Sequence, residues 1–311
     1  MSQQTVTAEP HPLDRLTRGG WLKGLLRLGV GAGLLAVVLA VTGREALYEV
    51  LEARHAPLLA LGAVLLAAQR VARVRKWAWL VEQTELIHRP VGYLLRVQFV
   101  GLLINLVAPL SEVLKMWAVC RDRSDTPRVI ETLTVDIAML SGAAGVVGLV
   151  VGAPLSLAGG AWWLGLPGLV LAVAAAVVVG ATVLRRGAAV RVQASTVALS
   201  LVEALCLLGV YWAAMSALAV PMTVGVLAAV FPLLYMSHLI ALTPSGLGLR
   251  EAVFALVFAG VSDTPTQTAA AVGLMVSAMQ LTMTLVAGGA ALAWPGRSLR
   301  DVDPPESSSP D

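Results

Sequence analysis

The chain has 311 residues, 58% of them hydrophobic and 13% charged, with a mean hydropathy of +0.81 and a formal net charge of +3. Soluble domains carry about 25% charged residues, so this composition excludes a soluble globular enzyme and describes an integral membrane protein. No basic run is interleaved with aromatics, which excludes a nucleic-acid surface. The two cysteines, Cys120 and Cys206, stand alone, without disulfide or zinc spacing, and read as small apolar fillers.

Residues 1–20 are polar and read as a disordered cytoplasmic tail. That stretch is long and no clean small-residue cleavage site follows the first apolar run, so no cleaved signal peptide is expected. Arg15, Arg18, Lys23 and Arg27 flank the first apolar run, Leu25–Thr42, and place the N-terminus inside. Gly43–Ala56 serves as an outer connection. Pro57–Val71 is the second span, and its basic ending, Arg70 to Trp77, marks the inner face. Val91–Ala108 follows, then Pro109, then a helix Leu110–Cys120. Basic loops stand on both sides of this stretch, so it dips in and returns, with Pro109 as the turning point. Leu133–Val151 crosses outward, and the charge-free Ala153–Gly165, with Trp162 and Trp163, is an outer loop. Leu166–Leu184 returns to Arg185, Arg186 and Arg191; Thr196–Val220 goes out again. Val224–Ala241 and a helix Leu249–Val261 flank Leu242–Gly248, where Pro244, Gly246 and Gly248 break the helix. Thr266–Trp294 is the last crossing, ahead of Arg297 and Arg300.

The expected fold is an all-α integral membrane protein of six full transmembrane helices plus two re-entrant helical hairpins, 91–120 and 224–261, entering from opposite faces. It forms one polytopic domain, 21–296, with a second cytoplasmic, disordered tail at 297–311. Reading one or both hairpins as full spans gives nine or ten helices instead. No residue-by-residue repeat is visible, so an inverted repeat rests on topology alone. Short, Gly/Pro-interrupted segments in corresponding halves point to a substrate site near the membrane midplane.

The polar residues at the two breaks are the candidate substrate-binding set: Asn105, Pro109, Glu112 and Lys115 in the first, Pro244, Gly246, Gly248, Arg250 and Glu251 in the second. Helix N-termini there offer free N–H groups and partial positive charge, suited to a phosphate or carboxylate. Glu112 and Lys115 are three apart and can pair; Glu112 with Arg250 is a second, cross-hairpin pairing. The same charges could simply lock the hairpins together. Asp136 and Glu203 lie inside apolar spans, as proton- or ion-coupling residues or as hydrogen-bond partners in the bundle interior. His238 with Ser237 or Ser245 lacks a nucleophile elbow and a third member, so no catalytic residue is assigned. No histidine has metal-ligand spacing, and no cofactor is expected.

Asn105-x-x-x-Pro109-x-x-Glu112-x-x-Lys115 and Pro244-x-Gly246-x-Gly248-x-Arg250-Glu251 resemble the two hallmark stretches of the transmembrane domain of lysylphosphatidylglycerol synthase and its stand-alone, flippase-like relatives. The first stretch departs at Ser111 and Lys115, where family members commonly carry Gly and Arg. The resemblance implies a multi-pass protein of the bacterial inner membrane, both termini cytoplasmic, linked to moving lipids between leaflets. In two-domain relatives a soluble aminoacyl-transferring domain follows; this chain runs only to Asp311, so lysyl transfer is not expected and the protein is read as no enzyme.

The expected function is translocation of a membrane phospholipid or lipid-linked substrate, its anionic headgroup held between the hairpin tips. No nucleotide-binding motif appears, so movement is downhill or ion-coupled. The alternative is a non-catalytic accessory or scaffold protein for a separate lipid- or glycan-modifying membrane enzyme, which is then its partner; a homodimer is compatible with either. A transferase acting on polyprenyl-linked sugars lacks the acidic pair its metal needs.

Overall fold

The structure is a computed structural model, and it describes residues 56–84, 86, 89–107, 111–120, 123–152, 154, 162–185, 193–220, 223–239, 249–261 and 264–293. All regular structure among the described residues is helical. In chain order it comprises α1 (Ala56–Glu82), α2 (Val91–Val107), α3 (Ser111–Val119), α4 (Thr126–Val147), α5 (Gly165–Arg185), α6 (Ala194–Ala217), α7 (Val224–Leu239), α8 (Leu249–Val261) and α9 (Thr266–Ala293). Among the described residues, five helices are long and apolar enough to cross a membrane: α1, α4 with its extension to Gly152, α5, α6 and α9. They correspond to five of the six expected full spans. The sixth, Leu25–Thr42, lies outside the described residues, as do both tails, Pro109, Pro244, Gly246, Gly248 and most of the outer loop 153–165.

Two spans extend well beyond their apolar runs. α1 continues from the expected end at Val71 to Glu82. Arg and Lys are good helix formers, and Arg73 and Lys76 of this extension meet carboxylates on other helices. α4 starts at Thr126 rather than Leu133, with Pro127 in its first turn, where proline's missing N–H costs nothing.

The helices meet through small residues. α4 lies on α5 at Gly145, where a Cβ would stand 2.6 Å from the Gly168 carbonyl oxygen. Such close approach replaces the hydrophobic driving force that lipid does not supply. The last turn of α4, Gly148–Gly152, widens to a π-helix. Its two glycines seat against Pro232 and Ala229 of α7, where any side chain would clash.

The main core joins α4, α6, α7, α8 and α9 around Tyr211, Phe231, Phe254 and Phe258, all buried. Phe254 stacks on Phe258 at 4.6 Å and meets Tyr211 at 5.3 Å. A second core joins α1 to α2, α3 and the start of α4 through Trp77, Leu94, Val97, Ala118 and Val129.

α2 and α3 pack antiparallel. Ser111, at the start of α3, lies against Gly101, and Arg89, ahead of α2, donates through Nε to the Ala118 carbonyl oxygen at 3.3 Å. The nine residues of α3 and thirteen of α8 rise about 14 and 20 Å, short of the roughly 30 Å hydrocarbon core. Neither can cross a bilayer alone.

Candidate functional site

The charged side chains of α1, α3, α4 and α6 converge on one buried cluster. Asp136 lies ten residues into α4 and Glu203 nine into α6, about 15 and 14 Å from their helix starts. For Asp136 this is deeper than its apolar run alone implied, because α4 begins earlier. Lys76 of α1 fits between the two acids. Its Nζ stands 3.0 Å from Asp136 Oδ1 and donates to Glu203 Oε2 at 2.9 Å. Lys76 and Glu203 are both 0% exposed. Gln69, two turns earlier, donates through Nε2 to Glu203 Oε1 at 2.9 Å. Arg73 lies between Gln69 and Lys76, with its Nε 3.8 Å from Asp136 Oδ2 and 3.9 Å from Glu203 Oε1.

Arg73 also ties this group to α3. Its Nη2 lies 4.0 Å from Glu112 Oε1, and that same oxygen accepts from Lys115 Nζ at 2.9 Å. The ammonium of Lys115 is buried and sits 5.9 Å from the centre of the Trp77 ring, a cation–π contact. Glu112 is different: its side chain is 40% exposed. Its Oε2 is nevertheless buried and without a hydrogen-bond partner among the described residues, so the carboxylate faces the cluster although the side chain as a whole is partly open. Asn105, near the end of α2, is half-buried.

The Arg250–Glu251 pair opens α8, and both side chains are buried. Arg250 Nη1 donates to Ser277 Oγ at 3.2 Å, and Ser277 Oγ in turn donates to Glu251 Oε1. Four residues before Ser277, Gly273 allows the contact; a Cβ there would stand 2.9 Å from the Glu251 Cα. Arg250 is also within electrostatic reach of Arg70, so the two groups of charges adjoin.

A family model for the lysylphosphatidylglycerol synthase TM region matches residues 24–288, which hold both charged groups. The chain belongs to this family. It is accordingly a multi-pass membrane protein of a lipid-related family, in keeping with the five long apolar helices among its described residues. Searches of curated proteins and of solved structures find no match.

In this family member the structure brings together Glu112, Lys115, Asp136 and Glu203 of the expected site residues, with Arg250 and Glu251 beside them. Of the partners anticipated for Glu112, Lys115 is at hydrogen-bond distance; its further neighbour is Arg73. The residues that sequence reasoning missed are Gln69, Arg70, Arg73, Lys76 and Ser277. Arg70, Arg73 and Lys76 were read as an inner-face marker. Their spacing of three residues carried another signal, since it puts all three on one helical face. Two acids inside apolar spans also required cations from elsewhere in the bundle. Ser277 had no comparable signal. Among the described residues, no group of acidic, His or Cys side chains could hold a metal ion.

Proposed function

We propose that this protein translocates a phospholipid or lipid-linked substrate, binding its anionic headgroup beside Glu112, Lys115 and Arg250, while the acyl chains stay in the bilayer. The observation that carries this is the charged cluster itself. An intramembrane charge costs about 2.5–3.5 kcal/mol on insertion scales and usually marks a pathway; here several converge where two short helices begin. Antiparallel α2 and α3, neither crossing the bilayer with its partner, act as a re-entrant hairpin. α7 and α8 form a second hairpin from the other face, and the midplane between them is the binding site. Asp136 and Glu203, held by Lys76, are the candidate coupling groups should movement be driven by an ion. The role is movement and not covalent chemistry, in a bacterial inner membrane with cytoplasmic termini.

The test uses purified protein in liposomes containing headgroup-labelled lipids and an impermeant quencher of the outer leaflet. Wild type is expected to expose the inner-leaflet pool, and Glu112→Gln and Arg250→Ala to abolish this while remaining folded. Full exchange by both variants sinks the site assignment. No exchange by wild type with any headgroup shifts the reading to an accessory protein serving a membrane enzyme.

A further inference from the structure

Among the described residues, pairing within the cluster leaves one cation over. Arg73 and Lys76 face Asp136 and Glu203. Lys115 faces Glu112, and Arg250 shares Ser277 with Glu251. Arg70 stands one turn before Arg73, with its Nε buried and without a hydrogen-bond partner among the described residues. It is within electrostatic reach of Arg73, Arg250 and Glu203. The Glu203 oxygens, however, already accept from Gln69 and Lys76. Arg70 thus stands within electrostatic reach of two other guanidinium groups, in an interior where like charges repel strongly and an unmatched charge is costly. One anion placed among them relieves both penalties. A guanidinium fork matches two oxygens of a phosphate, which an ammonium cannot do.

We propose that Arg70, with Arg73 and Arg250, forms a site for one singly charged phosphodiester, supplied by a phospholipid headgroup. The surplus of a single cation among the described residues sets the charge: one negative charge balances the cluster, and two would overshoot it. The lipid source rests on the translocation reading; the anion site rests on the charges.

Native mass spectrometry of the purified full chain in detergent tests this, with phosphatidylglycerol, uncharged diacylglycerol and inorganic phosphate as probes. Wild type is expected to retain one phosphatidylglycerol, at least about tenfold in preference to diacylglycerol, and Arg70→Gln to lose about tenfold, the value of one charge-assisted contact. Arg75→Gln, on the exposed side of α1 against Trp79, leaves retention unchanged. Equal retention of phosphatidylglycerol and diacylglycerol by wild type overturns the proposal even if Arg70→Gln does not fold. Full retention by a folded Arg70→Gln overturns it too. Displacement of the lipid by millimolar phosphate keeps the site and assigns it to free phosphate. Binding without leaflet exchange leaves the site standing and removes the translocase; exchange that survives Arg70→Gln does the reverse.

Discussion

Lys76 has two carboxylates within 3.0 Å and no exposed surface, so its ammonium depends on partners from α4 and α6. Removing one member of such a buried group strands the others and costs about 3–5 kcal/mol, although the intact group adds little over an apolar one. Lys76→Met is therefore expected to lower the thermal midpoint of the detergent-solubilised protein sharply. Lys76→Met combined with Glu203→Gln restores charge matching between Arg73 and Asp136, and should recover most of the loss. An unchanged midpoint in the single variant would show that the four groups are not energetically coupled. At this scale the sequence was half legible. Asp136 and Glu203 stood out as acids in apolar runs, and Glu112 with Lys115 as a pair at helical spacing. Lys76 did not stand out, because a basic residue after an apolar run has an ordinary explanation at the inner face. Which explanation holds depends on whether the helix goes on, and hydropathy alone cannot show that.

α8 is short, and its position comes from what its first turn meets on α9. Arg250 and Glu251 share Ser277, and Gly273 leaves room for the α8 backbone. Gly273→Leu should force the helices apart, costing about 1–3 kcal/mol as an overpacked contact does, and should abolish leaflet exchange along with it. At Gly289, farther along α9, an added Cβ would meet nothing within 4 Å, so Gly289→Ala should be tolerated with unchanged melting and exchange. Melting curves and liposome exchange on both variants decide this; equal behaviour would mean the Gly273 contact does not position α8. The limits of α8 were legible from sequence: it spans Leu249–Val261, as the helix expected after the glycine break does. The limits of α1 and α4 were not, because their polar turns are stabilised by contacts with other helices.

The arrangement of the whole molecule in a membrane follows from which helix ends share a face. α2 and α3 pack antiparallel, which puts Glu82 and Ser124, both exposed, on one side of the bilayer. Thr223 and Gln267 flank the second pair, α7 and α8, and on the proposed topology lie on the other side. In a variant with Cys120 and Cys206 replaced, single cysteines at Glu82 and Ser124 should react with an impermeant maleimide from the same face. Those at Thr223 and Gln267 should react from the opposite one. Labelling of Glu82 and Ser124 from different faces would mean that α2 and α3 together cross the membrane, and the re-entrant reading would fail.

Composition and hydropathy by themselves determined that the chain is an all-helical membrane protein, because about 20 consecutive apolar residues have few other stable fates. The two charged motifs determined its family, since they need no partner to be read. Only the tertiary structure decided which charges belong together. Lys76 meets Asp136 across 60 residues of chain and Glu203 across 127. A contact of that separation depends on how helices pack, and one helix's periodicity says which face is polar but not what that face meets.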